Sequence, residues 1–368
     1  MDWNRDQRIV LTLDAGGTNL VFDAIQGGRP ILAPLGRSTP GHDLDACLSC
    51  IVGGFQTLWD RLPQAPSAIS FAFPGPADYR AGIIEAQKNL PAFRGGVPLG
   101  PLLEERFGLP VFINNDGDLF AFGEALAGLL PEVNGALAQA GSPRRHRNLF
   151  GITLGTGFGG GLVGDGRLFL GDNGSASEIW SLRNGLDPAL PAEEGASIRA
   201  LRRGYADLTG LSPEAVPEPR ILHQIARGEA PGDPRAAREA FRRLGEVAGD
   251  AVASATAIVD GLVVVGGGLA GAADLILPAL VGAMNGTLRT RDGDEIPRLE
   301  SRAFNLDDPE ERRLFLAGDL REVPVPGSTR RVTYDRLKRI GVGRSRLGTS
   351  RAVAVGAYAF ALEALDSR

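Results

Sequence analysis

The chain has 368 residues, of which 51 are glycine, about 14% and roughly twice the usual share; 43% are hydrophobic and 23% charged. This composition excludes a disordered chain, a collagen and a disulfide-rich scaffold, and the length predicts two domains. The net charge of −5 argues against the basic surface expected of a nucleic-acid-binding protein, so we expect no nucleic-acid partner.

The chain offers no pattern of a secretory leader or membrane anchor. The first apolar run, Ile9–Leu13, is too short for the core of a signal peptide. The most apolar region, 251–284, is interrupted by Asp260, Asp274 and three glycines, and it lacks a run of about 18 apolar residues. We therefore expect a cytoplasmic protein with no membrane partner.

Three glycine-rich turns follow predicted strands. A strand over Ile9–Leu13 enters a turn and leaves as a strand over Leu20–Ile25. A strand over Leu149–Leu154 likewise enters a glycine turn and leaves as a hairpin, whereas the glycines at 266–268 lead into a helix. The first two turns resemble each other and lie about one domain apart, which indicates two related halves.

Glycine turns allow backbone N–H groups to approach an anion closely, and nucleotide phosphates are the usual anion. The sequence has no GxxxxGK[ST] motif, which excludes a P-loop. GxGxxG occurs at 155–160 and 266–271, so a dinucleotide site is an alternative, although the first match continues as a hairpin rather than a helix. Purely structural turns are the other alternative.

An acidic, amide-rich run follows a short predicted strand, Val111–Ile113, and precedes a helix predicted from Asp118 to Leu130. A carboxylate at this junction either caps the helix or accepts a proton from a bound hydroxyl group. The capping role suits Asp118 better, and Asp116, beside Asn115, better suits the role of a base.

Cys47 and Cys50 form an isolated CxxC pair within a predicted amphipathic helix. Such a pair is either redox-active or half of a metal site. Because no cluster of cysteine or histidine completes a zinc site, we interpret the pair as two structural thiols.

Seven segments in the same order resemble the ROK family, the sugar kinases and related repressors of the actin-like, RNase H-like fold. They are LDAGGT (Leu13–Thr18), FAFPGPAD (Phe71–Asp78), KNLPAF (Lys88–Phe93), INNDGD (Ile113–Asp118), GITLGTGFGGGL (Gly151–Leu162), IVDGLVVVGGG (Ile258–Gly268) and RLGTSRAVAVGAYAFAL (Arg346–Leu362).

This resemblance implies ATP-dependent phosphorylation of a hexose or amino-hexose, with ATP and Mg²⁺ as cofactors. It implies that Asp116 is the general base and that Asp14 lies near Mg²⁺ and contacts it through water. The sugar would be bound by Asn89, Asn115, Glu178 and Glu193. The nucleotide would be bound by Asp14, Gly16, Gly17, Thr18, Gly155, Thr156, Gly157, Gly267 and Gly268.

The chain departs from the family pattern after the second glycine hairpin. Where the family has Glu-x-Gly-His, this chain has Glu178-Ile179-Trp180-Ser181, on a helix predicted to begin near Ser175. The cysteine-rich zinc loop is missing, so we expect no zinc site. Segments 129–147 and 298–332 look like insertions. These departures put the sugar specificity in doubt, and they leave open whether the missing histidine alters or abolishes activity.

The resemblance implies an α/β fold with two RNase H-like domains, each a mixed sheet flanked by helices, and an active site in the cleft between them. We expect residues 1–118 plus 347–368 to form the smaller domain and 119–346 the larger. A small-molecule sugar is the expected partner, and a homodimer is compatible with the family. The alternative is a non-catalytic sugar- or nucleotide-binding relative acting as a sensor; a repressor would need a DNA-binding segment before residue 9.

Overall fold

The computed structural model describes residues 3–15, 19–85 and 91–367. The chain divides into two compact units. The first comprises the described residues of Met1–Ala127, Leu170–Ala176 and Leu347–Arg368, and the second comprises Gly128–Phe169 and Ser177–Arg346. The helix over Asp116–Ala127 belongs as a whole to the first unit.

Strands and helices alternate along the described chain. The strands are β1 (Val10–Ala15), β2 (Asn19–Gln26), β3 (Arg29–Pro30), β4 (Leu35–Ser38), β5 (Ala68–Ala72), β6 (Ala77–Asp78), β7 (Ile83–Ile84), β8 (Val111–Asn114), β9 (Leu149–Leu154), β10 (Phe158–Gly164), β11 (Arg167–Leu168), β12 (Leu262–Gly266), β13 (Thr287–Arg289), β14 (Glu295–Pro297), β15 (Arg302–Asn305), β16 (Leu320–Pro324), β17 (Arg331–Asp335) and β18 (Arg339–Arg344). The α-helices are α1 (Leu44–Trp59), α2 (Leu99–Phe107), α3 (Asp116–Ala127), α4 (Leu129–Gln139), α5 (Ile198–Thr209), α6 (Pro219–Arg227), α7 (Pro234–Val259), α8 (Ala273–Met284), α9 (Pro309–Ala317) and α10 (Thr349–Asp366).

The first unit is built on a mixed sheet in the order β3-β2-β1-β5-β8, with β4 paired to β2. Strands β1, β5 and β8 run parallel, and β2 is antiparallel to β1. All five residues of β5 are buried, as expected of a central parallel strand covered on both faces. Side chains of α1 and α2 join one core cluster with the sheet, and α10 joins a second.

The second unit has a mixed sheet in the order β11-β10-β9-β12-β18-β15. Strands β9, β12, β18 and β15 run parallel, whereas β10 is antiparallel to β9. Both sheets therefore share one topology, an antiparallel meander of three strands followed by two parallel strands, and β15 extends the second. This shared topology agrees with the related halves that the two glycine hairpins indicate.

Helix starts in both units follow local side-chain chemistry. The carboxylate of Asp43 accepts a hydrogen bond from the Ala46 N–H at the start of α1, and Asp233 and Asp308 cap α7 and α9 in the same way. The hydroxyl of Ser197 caps α5. Each cap satisfies an N–H group that the helix leaves without a partner.

Two helices of the first unit, α3 and α10, cross at very short distance. A Cβ added to Gly123 would overlap the carbonyl group of Ala352, and a Cβ added to Gly356 would overlap the carbonyl group of Leu119. Glycine at both positions allows the two backbones to touch. This crossing fixes the start of α10 relative to the start of α3, and both starts carry residues of the candidate site.

Candidate active site

Three neighbouring parallel strands of the first unit end at one edge of the sheet. Asp14 of β1 lies in register with Ala72 of β5, and Ala72 lies in register with Asn114 of β8. Neighbouring strands are about 4.8 Å apart, so the residues that follow these strands gather along this edge. The sheet therefore brings Asp14 and the run Asn115-Asp116 to one side of the first unit.

Asp116 is the first residue of α3, and its side chain is exposed to solvent. The surrounding protein disfavours the charged form and raises the pKa of the Asp116 carboxyl group, and the negative charge of Asp14 acts in the same direction. The carboxylate also accepts the Gly117 N–H at 2.9 Å, which opposes this rise. Asp116 is thus a solvent-reached carboxylate with an increased proton affinity, which suits a general base.

Asp14 is likewise exposed, near the end of β1. Desolvation raises the pKa of the Asp14 carboxyl group, and a hydrogen bond from the side chain of Ser350 works against that rise. Ser350 lies in the first turn of α10. The contact joins residues distant in the sequence, and sequence reasoning did not identify Ser350 as a site residue.

The side chain of Asn115 is oriented by the protein. Its Oδ1 accepts the Gly117 N–H at 2.8 Å, and its Nδ2 donates to the hydroxyl of Tyr79 at 3.3 Å. The Tyr79 hydroxyl in turn donates to the carbonyl oxygen of Phe73 at 3.1 Å. Tyr79 is a second residue that sequence reasoning missed, although it directly follows the family-like segment FAFPGPAD.

Four residues expected at the site lie outside the described residues. They are Gly16, Gly17, Thr18 and Asn89. Their expected contacts with nucleotide and sugar stay predictions.

A cavity of about 580 Å³ lies beside Asp14 in the first unit. Its walls come mainly from β1, β2 and α10, and both Asp14 and Ser350 line it. Asn115 and Asp116 are absent from its described lining, so we do not assign this cavity to the sugar.

In the second unit, the turn between β9 and β10 lies beside the glycines that follow β12. The N–H of Gly155 donates to the carbonyl oxygen of Gly157 at 3.0 Å, and the N–H of Leu269 donates to that of Leu154 at 2.9 Å. Gly267 has a φ of +85°, and a Cβ there would overlap the Leu154 backbone. The two glycine turns at 155–157 and 266–268 therefore meet within this unit.

These turns fit a nucleotide phosphate. A Cβ added to Gly155 or Gly268 would find its nearest atom at 3.9 or 4.0 Å, an ordinary van der Waals distance, so no atom crowds the backbone at either position. The side chain of Thr156, between the two turn glycines, is exposed. Open backbone of this kind can approach an anion and donate N–H groups to it.

Glu178 lies just before a single turn of 3₁₀-helix, Ile179–Ser181, and the α-helix predicted from Ser175 is wrong. Ser177 has a φ of +65°, a conformation that a regular α-helix cannot include. The Trp180 side chain is 44% exposed, and its Nε1–H donates to the carboxylate of Glu178. The structure therefore pairs the family-like Glu178 with the residue that replaces the family glycine.

Glu193 lies in a 3₁₀ turn, Ala192–Glu194, shortly before α5. Its Oε2 accepts the backbone N–H of Phe158 at 3.1 Å, directly after the β9–β10 turn. The structure thus brings Glu193 to the second glycine turn.

The described residues contain no group of three or more histidine, cysteine, aspartate or glutamate side chains that could hold a metal ion. Whether the protein holds zinc stays a prediction to be tested on purified material. Cys47 and Cys50 are free thiols, and Cys47 is buried in α1. Within the described ranges, no helix is both long enough and apolar enough to span a membrane.

Comparisons with known proteins give a consistent assignment. The ROK family model matches residues 10–302. The chain is 32% identical over 185 residues to an N-acetyl-D-glucosamine kinase of Photobacterium profundum, a match covering 50% of this chain and 56% of that protein. The chain thus spans little more than half the length of this curated relative.

Two solved structures cover almost the whole chain. A glucokinase from Parabacteroides distasonis has 51% sequence identity and a TM-score of 0.88, with 99% of both chains covered. A ROK family glucokinase from Streptomyces griseus, solved with glucose and AMPPNP, has 21% identity and a TM-score of 0.60, covering 95% of this chain and 98% of that chain. The expected α/β fold with two mixed sheets is confirmed, and the chain belongs to the ROK family.

Proposed function

We propose that this protein is an ATP-dependent sugar kinase that phosphorylates a hydroxyl group of a hexose or an N-acetylated hexosamine. The observation that carries the proposal is the carboxylate of Asp116, raised in pKa at the strand edge that also holds Asp14, in a chain of the ROK family. Relatives named as glucokinase and N-acetyl-D-glucosamine kinase support the substrate class.

In this proposal Asp116 accepts the proton of the sugar hydroxyl while the oxygen of that hydroxyl bonds to the γ-phosphorus of ATP. The bond from that phosphorus to the bridging oxygen of ADP breaks in the same displacement. Such a transfer depends mainly on positioning and charge stabilisation, so the proton can move late and a base of ordinary strength suffices. Asn115 holds a sugar hydroxyl, helped by the fixed orientation of its amide.

We assign the nucleotide to the glycine turns at 155–157 and 267–268, in which a Cβ at Gly155 or Gly268 would meet no atom closer than 3.9 Å. Asp14 would hold Mg²⁺ through water, with Ser350 fixing its carboxylate. When bound, Mg²⁺ supplies positive charge that offsets the charge developing on the phosphate oxygens.

The test is a coupled assay of ADP release across glucose, mannose, fructose and N-acetylglucosamine, with the wild type and Asp116→Asn. We expect turnover of at least one sugar, and a loss of about 10²–10⁴ in kcat on substitution, with sugar binding largely kept. Near-wild-type turnover by Asp116→Asn would reject this base and make Asp118 the next candidate.

The missing family histidine, replaced by Ser181, favours a second candidate, a non-catalytic sugar or nucleotide sensor. Calorimetric titration with the same sugars and with AMPPNP distinguishes the two functions. A wild type that binds both ligands but releases no ADP would support the sensor and overturn the kinase.

A further inference from the structure

The side chain of Glu193 binds the backbone at the end of the second glycine turn, 155–157. Oε2 accepts the N–H of Phe158 at 3.1 Å, and Phe158 is the residue with which β10 begins. The same oxygen would lie 2.8 Å from a Cβ added to Gly157. The carboxylate therefore lies directly against the turn and fixes its last peptide group.

The start of α5 holds the other end of this turn. The N–H of Ile198 donates to the carbonyl oxygen of Gly155 at 2.8 Å. Glu193 and Ile198 lie close together in the sequence, so one short segment forms hydrogen bonds to both ends of the 155–157 turn. This segment is itself anchored, because Ala192 is fully buried and its N–H donates to the Leu182 carbonyl oxygen at 2.7 Å.

The second oxygen of Glu193 is also engaged within this unit. Oε1 lies 3.5 Å from Nη2 of Arg199, which is bound more closely by Glu194 at 2.6 Å. Arg203 pairs with Glu194 at 2.9 Å. Glu194 thus pairs with the same arginine as Glu193, but among the described residues only Glu193 bonds to the turn through Phe158, which makes Glu194 a matched control.

We propose that Glu193 is a positioning residue for the nucleotide: its carboxylate holds the 155–157 turn in the conformation that binds the phosphate groups. This inference rests on the proposed kinase function and differs from the sugar contact that the family resemblance implies for Glu193. A rigid turn presents its N–H groups without an ordering cost at the moment of binding, so loosening the turn weakens nucleotide affinity.

The test compares Glu193→Ala, Glu193→Gln and Glu194→Ala with the wild type. AMPPNP binding is measured by calorimetry, and KM is measured separately for ATP and for the best sugar. For Glu193→Ala we expect about 10-fold weaker AMPPNP binding and a similar rise in KM for ATP, as befits one lost charge-assisted hydrogen bond. The KM for sugar should stay within about two-fold.

The Gln variant provides a rescue, because its amide oxygen can still accept the Phe158 N–H. We expect its affinity for AMPPNP to lie between those of the wild type and Glu193→Ala, and that of Glu194→Ala to match the wild type. Thermal unfolding of all variants identifies any variant that does not fold. If Glu193→Ala does not fold, the AMPPNP affinity of Glu193→Gln alone decides the test.

Four results would overturn the inference. A rise in sugar KM with unchanged AMPPNP binding would make Glu193 a sugar ligand. A lower unfolding temperature with both affinities unchanged would make its role structural. If the wild type itself failed to bind AMPPNP, the kinase proposal would fall and this inference with it, whereas intact wild-type binding together with unaltered variants would reject the Glu193 role alone.

Discussion

The imidazole ring of His146 stacks on the ring of Phe315, with ring centroids 5.7 Å apart and an interplanar angle of 21°. The two residues come from the two insertion-like segments, 129–147 and 298–332, which therefore pack against each other in the second unit. Burial, together with the positive charges of Arg144 and Arg339, lowers the pKa of His146 to about 4.

This stack predicts an acid-sensitive contribution to stability. In the unfolded chain a histidine titrates near 6.5, so below that pH the unfolded state binds the proton more readily than the folded state. The contribution is complete above about pH 6.5 and is lost as the pH falls toward about 4. Between pH 7 and 4.5 we expect the unfolding free energy of the wild type to fall by about 2 kcal/mol more than that of His146→Phe, which keeps the stacking.

Urea unfolding at the two pH values measures this difference. His42→Gln is the control, because His42 is exposed and its replacement should leave the pH dependence unchanged. An identical pH dependence for His146→Phe and the wild type would contradict the prediction.

The crossing of α3 and α10 predicts a large penalty for a single methyl group. A Cβ at Gly123 would meet the rigid backbone of Ala352, so Gly123→Ala forces the helices apart. We expect a loss of about 2 kcal/mol or more in unfolding free energy, typical of overpacking that cannot be relieved by a side-chain rotation.

Gly135 of α4 provides the matched control for Gly123. It is exposed, and a Cβ there meets nothing within 4 Å. Gly135→Ala should therefore stabilise the protein by about 0.5–1 kcal/mol through helix propensity. Chemical denaturation of both variants gives the comparison, and equal effects at the two glycines would show that the crossing can open without cost.

The raised pKa of Asp116 predicts that removing its charge stabilises the folded protein while it lowers activity. Because its folded-state pKa is raised, the charged carboxylate destabilises the folded protein at neutral pH, and this deficit disappears as the pH falls below the unfolded value near 4. Asp116→Asn should therefore unfold at a higher temperature than the wild type at pH 7, with a smaller gain at pH 4. The control Asp165→Asn alters a carboxylate that is 76% exposed and pairs with an equally exposed Arg147; such a surface pair contributes little, so unfolding temperature and turnover should stay nearly unchanged.

Scanning calorimetry at the two pH values tests the Asp116 prediction. A lower unfolding temperature for Asp116→Asn at pH 7 would mean that the carboxylate stabilises the start of α3. In that case the Asp116 carboxyl group would not have the raised pKa assigned to it.

Structural features that depend on neighbouring residues in the chain could be predicted from the sequence. Alternation of apolar residues and glycine turns predicted the hairpins β1–β2 and β9–β10, because these depend on neighbours in the chain. The helix predicted from Asp118 to Leu130 is split by the structure at Gly128, whose backbone (φ −113°, ψ −120°) ends α3 and starts α4. Periodicity alone does not show such a break.

Contacts between distant residues could not be predicted in the same way. The bond from Ser350 to Asp14, and that from Asn115 to Tyr79, depend on how α10 and the strand ends pack. The role of Glu193 at the β9–β10 turn likewise depends on where α5 begins. Residue types suggested the chemistry of the site, whereas its supporting contacts required the packed structure.

Trp180 predicts a change in sugar preference. The ring is 44% exposed, so it is not part of the hydrophobic core, and its Nε1–H holds the carboxylate of Glu178. An exposed indole can stack on the apolar face of a pyranose while its N–H serves a polar partner. If Glu178 binds sugar, Trp180 orients that carboxylate and narrows the space around it, a task that no histidine performs here because Ser181 occupies the family position.

Two substitutions separate the ring from its hydrogen bond. Trp180→Gly removes both, and Trp180→Phe keeps an aromatic face but leaves Glu178 without the indole donor. We expect Trp180→Gly to change the order of kcat/KM among glucose, mannose, fructose and N-acetylglucosamine, because it frees space beside Glu178 and removes the hydrogen bond that restrains its carboxylate. Trp180→Phe should keep that order with a higher KM for every sugar, because stacking persists while Glu178 is held less firmly. Since the side chain is exposed, neither change should lower the unfolding temperature greatly. A uniform loss of activity with the sugar order unchanged in both variants would show that Trp180 has no part in choosing the substrate.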